Sequence, residues 1–381
     1  MLHLTACDLI RQKTPILFVP VCENKPIHSD ALLSALVDRA LAFEEFKGKK
    51  DQELTLYEPP GSAAERVVFK GIGKAEAVEA ETLRQMAGRS AKRCLQMGMR
   101  RMGLAAPDPA VSGIPETEGL KALMEGAFLG NHLFDRYKEK KEKKPLDRID
   151  ILVPSTPSGR LRRLPAEVET VCGAALMARE WVNLPSNEKP PEALAQIIAG
   201  PAKQRRLTVE VFTEKQLQQK RMGALLAVAA GSSHRPAMVV LQHNGGGRRP
   251  PVVLVGKGVT FDSGGINLKT GDSLPDMKGD MAGAAAVAAA LIAAADLKLK
   301  RRIVGVIPLV ENMVSGRSTR PGDIVRAFSG KTVEIGNTDA EGRLILADAM
   351  AYAEWRFKPE AMIDVATLTG ACVVALGEKF A

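Results

Sequence analysis

Cysteine is scarce in this 381-residue sequence, and its spacing carries no metal or disulfide signature. The chain has five cysteines, an odd number, and no two of them form a CxxC pair: Cys7, Cys22, Cys94, Cys172 and Cys372. This spacing excludes a zinc ribbon and offers no disulfide framework. A reducing, intracellular compartment is therefore predicted, with the protein in the cytoplasm.

Long apolar runs are also missing. No window reaches about 18 consecutive apolar residues, and the N-terminus MLHLTACDLIRQK lacks the basic region and apolar core of a secretory signal. We therefore predict no membrane association. A composition of 45% hydrophobic and 25% charged residues is typical of a soluble globular protein, and the length suits two domains.

Histidine and nucleotide motifs are absent from the richest part of the chain. No histidine follows residue 256, so an HExxH zinc site is excluded. The GKT at residues 330–332 lacks the glycine that a phosphate loop needs at Val325. His3, His28 and His132 lie far apart without acidic or cysteine neighbours at ligand spacing, which favours surface or satisfied core positions.

The net charge of +9 leaves two interpretations open. Basic surfaces attract nucleic acid, so a DNA-binding patch is one of them. However, acids interrupt the lysines of KEKKEKK (residues 138–144), and the other basic groups, at residues 203–206 and 300–302, are dispersed. This distribution favours a solvated surface.

Apolar periodicity predicts an α/β protein with a small N-terminal α/β domain over residues 1–160. A linker-helix region follows over residues 161–185, and a second domain with a mainly parallel sheet flanked by helices covers residues 186–381. The helix of the first domain covers residues 80–98. In the second domain the predicted strands are residues 208–211, 237–241, 252–255, 303–309, 333–335 and 361–366. Sites in such sheets form beyond the carboxyl ends of the strands.

The first chemically rich segment starts where the strand at residues 252–255 ends, and it reads GKGVTFDSGGINLKTGDSLPDMKGDMAGAAAV. It places Lys257 and Asp262 in a glycine-rich loop, where Gly264 and Gly265 permit backbone conformations closed to other residues. Asp280 stands at the entrance of a helix predicted over residues 283–295. By itself, Asp280 is better explained as an N-cap or first-turn acid of that helix than as a metal ligand.

The second rich segment, IGNTDAEGRLILADAM, follows the strand at residues 333–335. Asn337, Asp339, Glu341 and Arg343 occupy every second position, so in an extended stretch they face one pocket. Clustered carboxylates repel unless cations neutralise them, and oxygen ligands suit hard or borderline divalent ions. A divalent metal site is therefore predicted.

These segments resemble the leucyl aminopeptidase family, the cytosolic di-metal exopeptidases. NTDAEGRL (337–344) matches the family signature, and GKGVTFDSGG (256–265) matches its first metal loop. ENMVSGRSTRPGDIV (311–325) and ATLTGA (366–371) match flanking segments, and the likeness reaches back through AREWVNLPSN (178–187). The second half of the chain is covered well, and the N-terminal domain in outline.

The resemblance implies a ligand set for two metals. Asp262, Asp339 and Glu341 contribute to one ion, and Lys257, Asp262, Asp280 and Glu341 contribute to the other. Asp262 and Glu341 bridge the two. Mn²⁺ or Zn²⁺ is the first expectation, with Mg²⁺ or Co²⁺ as alternatives.

The resemblance further implies hydrolysis of N-terminal residues, leucine above all, from peptides. Lys269 matches the lysine that polarises the scissile carbonyl, and Arg343 matches the arginine that holds a bicarbonate ion. Surface ion pairing is the alternative for both. Substrate-lining positions are matched by Met277, Asn337, Thr367, Leu368 and Gly370.

Further expectations concern assembly and completeness. The family forms homohexamers, and its members continue through a carboxyl-terminal segment beyond the ATLTGA motif, so the second domain is predicted to be C-terminally incomplete. A catalytically impaired homologue and a di-metal phosphoesterase are the alternatives to an active peptidase. DNA binding is a further role known for some family members.

Overall fold

The structure of the protein is a computed structural model that describes residues 1–140, 143–247 and 249–377. The chain divides into two units, Met1–Gly173 and Ala174–Ala381. Each unit pairs a β-sheet with packed helices, which confirms the predicted α/β class.

The first unit is built on a six-stranded sheet in the order β1-β6-β5-β2-β4-β3. All neighbouring strands are parallel except β3 and β4. The strands are β1 (Leu2–Ala6), β2 (Leu17–Cys22), β3 (Glu53–Tyr57), β4 (Arg66–Gly73), β5 (Arg101–Ala105) and β6 (Arg148–Val153). The helices are α1 (Ala31–Leu41), α2 (Ala80–Gln96), α3 (Pro109–Ser112), α4 (Glu116–Gly130) and α5 (Leu164–Asn183), the last of which continues into the second unit.

Helix α2 shows why the local sequence folds as predicted. Its residues Leu83, Met86, Ala87, Ala91 and Cys94 recur at helical spacing, and all five are buried in the core of the unit. Such a stripe is stable only against another apolar surface, here the sheet and α4. The helix predicted over residues 80–98 is therefore confirmed to within two residues.

The second unit has a mainly parallel sheet in the order β14-β9-β11-β8-β7, and β10 pairs with β11. Strands β14, β9, β11 and β10 run parallel to their neighbours among themselves, whereas β8 runs antiparallel to β11 and to β7. The strands are β7 (Thr208–Phe212), β8 (Ala237–Asn244), β9 (Val252–Gly256), β10 (Gly258–Asp262), β11 (Arg302–Asn312), β12 (Ile324–Arg326), β13 (Thr332–Glu334) and β14 (Ala361–Val365). The helices are α6 (Pro191–Gln204), α7 (Glu214–Gln219), α8 (Gly223–Ala229), α9 (Ala282–Asp296), α10 (Glu341–Phe357) and α11 (Ala371–Leu376).

Helices cover this second sheet on both faces. Met238 and Val240 of β8 point into one apolar core with α8 and α10, and Val239 and Leu241 point into another with α6 and α9. This alternation follows from the two-residue period of a strand. The parallel strands β9, β10, β11 and β14 bring their carboxyl ends to one edge of the sheet.

Two details differ from the sequence prediction. The strand predicted at residues 333–335 is β13, which pairs only with β12 in an exposed two-stranded ribbon outside the main sheet. Strand β10 was predicted as loop, because glycines at both ends of Lys257 resemble turn signals.

Helix α9 belongs to the core of the second unit. The stretch Leu274–Asp296 is long and apolar enough to cross a membrane, but 67% of its apolar window is buried within the fold. Nine residues of α9 are buried, and the helix packs on β9 and β11. Its apolar character is accounted for by these contacts.

Candidate metal centre

Three carboxylates from three different elements converge at the carboxyl edge of the second sheet. Asp262 ends β10, Asp280 follows a 3₁₀ turn (Leu274–Gly279), and Glu341 is the first residue of α10. One oxygen from each lies within 4.8 Å of the others. Their exposures are only 2%, 7% and 3%, so their mutual repulsion is not screened by solvent.

Lys257, directly after β9, lies between two of these acids. Its Nζ is 2.7 Å from Asp280 Oδ1 and 2.9 Å from Glu341 Oε1, and it donates to the carbonyl of Thr367 at 2.8 Å. Burial alone would lower the pKa of Lys257, but attraction by Asp280 and Glu341 outweighs burial and raises it. The amine is therefore a buried cation held by two carboxylates.

Lys269 makes a second bridge of the same kind. Its Nζ is 2.9 Å from Asp262 Oδ2 and 2.5 Å from Asp339 Oδ1. Burial again opposes the charged form, yet hydrogen bonds to Asp339 and Asp262 raise the pKa of Lys269. Each lysine thus neutralises one pair of the predicted metal ligands.

The carboxylates still hold more negative charge than the lysines satisfy. Burial raises the pKa of both Asp280 and Glu341, although Lys257 acts in the opposite direction. Asp280 Oδ2 and Glu341 Oε2 are buried and have no hydrogen-bond partner among the described residues. Buried polar oxygens normally have a partner, so these two unpaired oxygens are suited to bind additional cations. A set of carboxylate oxygens with one amine suits hard or borderline divalent metals.

Two glycines after Asp262 let this part of the chain approach the segment that carries Asp339. Gly264 and Gly265 have φ of +87° and +63°, a region that side chains disfavour. A Cβ on Gly264 would lie 2.4 Å from the carbonyl oxygen of Asn267 and 3.0 Å from Asp339 Oδ1. The glycine requirement inferred from the sequence is thus met by both conformation and space.

Asp280 does not cap the following helix. Helix α9 begins at Ala282, its N-cap is Met281, and no side chain caps it. Asp280 Oδ1 instead accepts hydrogen bonds from Lys257 and from Thr367 Oγ1, both at 2.7 Å. The N-cap alternative for Asp280 is therefore wrong.

The every-second-position argument for the second segment is also wrong in part. Glu341 and Arg343 lie in the first turn of α10, not in an extended stretch. Residues two apart in a helix point in directions about 200° apart, so Glu341 is buried while Arg343 is exposed. In the part of the chain that the structure describes, no ion pair involves Arg343.

The predicted substrate-lining residues lie at different distances from the centre. Thr367 contacts Asp280, and Leu368 lies against Gly342, where an added Cβ would be 2.9 Å from Leu368 Cδ1. Asn337 Oδ1 accepts from the backbone of Asp339 at 2.8 Å. Met277 precedes Asp280 in its 3₁₀ turn, and Gly370 is the N-cap of α11.

Three polar residues near the metal loops were not predicted from the sequence. Asn267, Asn312 and Thr338 form hydrogen bonds within and between the loops. Asn312 stands in the ENM motif at the end of β11, and sites in such sheets form beyond the carboxyl ends of the strands. This strand-end location is the one signal that pointed to it.

A buried, lysine-bridged carboxylate cluster at the carboxyl edge of an α/β sheet is suited to binding metal ions in an active site. The comparisons with known proteins specify which kind. The family model described as "Cytosol aminopeptidase family, catalytic domain" matches residues 176–381. The model described as "Cytosol aminopeptidase family, N-terminal domain" matches residues 21–141. The chain belongs to the cytosol aminopeptidase family and is a hydrolase of the metal-dependent aminopeptidase class.

Individual relatives agree with this assignment. The probable cytosol aminopeptidase of Syntrophotalea carbinolica is 42% identical over 357 residues, which cover 92% of this chain and 71% of the relative. The cytosol aminopeptidase of Pseudomonas aeruginosa is 40% identical over 375 residues, covering 96% and 76%.

Solved structures show the same likeness. A tomato leucine aminopeptidase variant has a TM-score of 0.84 at 30% identity and covers 99% of this chain and 75% of its own. The bottromycin maturation enzyme BotP in complex with Mn has a TM-score of 0.79 at 34% identity, covering 95% and 74%. That neighbour contains manganese.

Proposed function

We propose that the chain releases N-terminal amino acids, with a preference for leucine, from peptides by means of two divalent metal ions. The observation that carries the proposal is the pair of lysine bridges. Lys257 joins Asp280 to Glu341, and Lys269 joins Asp262 to Asp339. Two separate acidic pairs, each already accommodating a cation, support two ions better than one.

The proposed ligand sets follow the family resemblance residue by residue. Asp262, Asp339 and Glu341 hold one ion, and Lys257, Asp262, Asp280 and Glu341 hold the other. Because an ammonium group has no lone pair for a metal, the Lys257 amine would give up its proton when the ions bind, and two adjacent cations would lower its pKa in that direction. The oxygen-rich composition accepts Mn²⁺, Zn²⁺, Mg²⁺ or Co²⁺. The manganese in BotP favours Mn²⁺ as the first ion to test.

When bound, the ions supply Lewis acidity for activating water and for stabilising negative charge. The protein's own groups complete the chemistry. Lys269, 21% exposed, places a cationic donor where the peptide oxygen gains charge. Arg343, exposed in the first turn of α10, is assigned the bicarbonate-holding role on the family resemblance alone. Leu368 and Thr367 border the centre and contribute to the leucine pocket.

Metal binding is expected to stabilise the protein and to switch on peptide hydrolysis together. Adding Mn²⁺ to the EDTA-treated chain at about 100 times its Kd should raise Tm by roughly 5 °C or more, because metal binds only the folded state. Metal analysis should find two ions per chain. Leucyl peptides and phosphate esters are assayed side by side. Cleavage of phosphate esters alone, or no metal binding, would contradict the proposal.

Lys269 is expected to affect turnover and not metal content. Lys269→Met should lower kcat on a leucyl peptide by roughly 10²- to 10³-fold with little change in KM, as for loss of one oxyanion donor. Metal analysis of the same samples should still give two ions. Lys269→Arg, which keeps a charged donor, serves as the comparison. Equal kcat in the methionine variant and the wild type would show that Lys269 is a structural ion-pair partner.

Assembly as a homohexamer is part of the proposal. It rests on the family resemblance alone. The native mass of the metal-loaded chain tests this. A cytoplasmic location is proposed with it, in keeping with five free cysteines.

DNA binding finds less support in the charge distribution. Arg205 pairs with Asp296 at 2.7 Å, and Arg301 pairs with Glu360 at 2.6 Å. These pairs reduce the free positive charge of the two basic groups that the sequence offered. The described residues of the KEKKEKK segment are exposed, and residues 141 and 142 lie outside the described residues. We therefore confine the proposal to peptide hydrolysis.

A further inference from the structure

The two metal loops are joined by hydrogen bonds that involve no metal. One loop runs from Asp262 to Lys269, and the other runs from Gly336 to Glu341. Asn267, Asn312 and Thr338 supply the connecting side chains, and none of them is in the proposed ligand set. We call these three residues the loop clamp.

Asn312 fixes the orientation of Asp262. It is the last residue of β11 and lies opposite Asp262 in the parallel pairing with β10. Its Nδ2 donates to Asp262 Oδ1 at 2.9 Å and to the carbonyl of Thr338 at 3.1 Å. Because both partners are acceptors, the orientation of the amide is determined. The side chain is 96% buried, so water does not compete for these bonds.

This arrangement divides the two oxygens of Asp262 between different tasks. Oδ1 accepts from Asn312 and also from the backbone of Gly264 at 3.0 Å. Oδ2 is left for cations, and Lys269 lies 2.9 Å from it. A carboxylate held by two neutral donors cannot rotate without losing both hydrogen bonds. Asp262 is therefore oriented before any metal arrives.

Thr338 locks the second loop onto the first. Its Oγ1 donates to the carbonyl of Gly264 at 2.7 Å and accepts from the backbone of Asn267 at 2.9 Å. Its own backbone N–H donates to Asn267 Oδ1 at 2.9 Å. Thr338 immediately precedes Asp339 along the chain. The position of Asp339 relative to Asp262 is thus set by Thr338.

Gly265 packs so closely against Thr338 and Asn312 that it has no space for a side chain. A Cβ on Gly265 would lie 2.9 Å from Thr338 Oγ1 and 3.0 Å from Asn312 Oδ1. Such contacts are too tight to tolerate without displacement of the clamp. The glycine pair after Asp262 therefore serves the clamp as well as the loop conformation.

We propose that Asn312 and Thr338 are positioning residues that hold the ligands of the two metal loops at their binding separation in the metal-free protein. The inference rests on the proposed metal site. Residues that orient metal ligands typically change metal affinity by roughly 10- to 100-fold when removed.

The test compares two matched substitutions of Thr338 in the 381-residue chain. Thr338→Val keeps the shape but removes the hydroxyl, and it should weaken Mn²⁺ binding, measured by calorimetric titration of the metal-free protein, by roughly 10- to 100-fold. Thr338→Ser keeps the hydroxyl and should restore most of the affinity. Thr332→Val, the same change on exposed β13, should have no effect.

Asn312→Leu tests the other half of the clamp, because it removes the amide donor to Asp262 Oδ1 without adding a charge beside the proposed metal site. The metal affinity of this variant should fall at least as far as that of Thr338→Val. If either variant does not fold, Asn267→Ala removes the exposed partner of Thr338 and should weaken binding in the same direction.

The outcomes separate the two proposals. Wild-type Mn²⁺ affinity in a folded Thr338→Val or Asn267→Ala variant would overturn the clamp and leave the proposed function standing. Reduced affinity in Thr338→Ser equal to that in Thr338→Val would also overturn it, since the hydroxyl would then be irrelevant. If the wild-type chain itself binds no Mn²⁺, the proposed function fails first and the clamp with it.

Discussion

Asp339→Asn is expected to lower turnover of a leucyl peptide by roughly a thousandfold, equal to about 4 kcal/mol of transition-state stabilisation. Asp339 is the ligand that distinguishes one proposed metal position from the other. Asparagine keeps its shape and removes its charge, so the change acts on cation binding. The measurement is kcat/KM at saturating Mn²⁺, together with the number of ions per chain, which should fall from two to one.

The stability of the metal-free variant provides the control for this prediction. Asp339 is 34% exposed and its partner Lys269 is 21% exposed. Loss of such a partly screened pair should change the free energy of unfolding by no more than about 1 kcal/mol. Glu334→Gln removes an exposed carboxylate on β13 and should leave turnover and metal content unchanged. Full activity of Asp339→Asn with two bound ions would rule out this residue as a ligand.

The sequence predicted the fold best where one periodicity dominates over a long stretch. Helix α2 was predicted because five apolar residues recur on one face, and all five are buried. Strand β11 was predicted over residues 303–309, and the structure extends it to Arg302–Asn312. Strand β10 was missed because Gly256 and Gly258, on either side of Lys257, resemble turn signals. Short elements pair according to their neighbours, which local patterns do not describe.

The candidate site could be predicted only as far as its charged residues. Carboxylates clustered near strand ends are conspicuous, and the structure brings Asp262, Asp280 and Glu341 together. Asn312 and Thr338 were missed because neutral polar residues are common in loops and have no characteristic spacing. Their role depends on contacts between positions that are 26 to 74 residues apart in the chain.

Lys189 is buried although its sequence context predicts an exposed side chain. It lies in the proline-rich turn between α5 and α6, where a lysine is expected to be exposed. Yet its exposure is 0%. Its Nζ donates to the carbonyls of Trp181 and Val182 at 2.9 and 2.8 Å, and it lies 3.5 Å from Met281 Sδ. No carboxylate among the described residues forms an ion pair with it.

Burial without a counter-charge lowers the pKa of Lys189 from 10.5 to about 7, and repulsion by Lys278 adds to the effect. Below pH 7 the amine is protonated in both the folded and the unfolded chain, and the folded state bears the full cost of the buried charge. Between pH 7 and 10.5 the folded protein releases this proton while the unfolded chain keeps it. Stability therefore rises with pH across that window.

We expect this residue alone to add roughly 2 kcal/mol to the free energy of unfolding between pH 7.5 and 9.5. Lys189→Met has similar volume but no amine, so its stability relative to the wild type should fall by that amount over the same range. Lys189→Arg stays charged throughout this range. Its free energy of unfolding relative to the wild type should therefore fall with pH as steeply as that of Lys189→Met, but from a lower starting value. Lys203 is an exposed lysine on α6, so the difference in stability between Lys203→Met and the wild type should not change with pH over this range. Urea unfolding followed by the fluorescence of buried Trp181 gives these values. Identical pH dependence in Lys189→Met and the wild type would show that the buried amine does not titrate in this window.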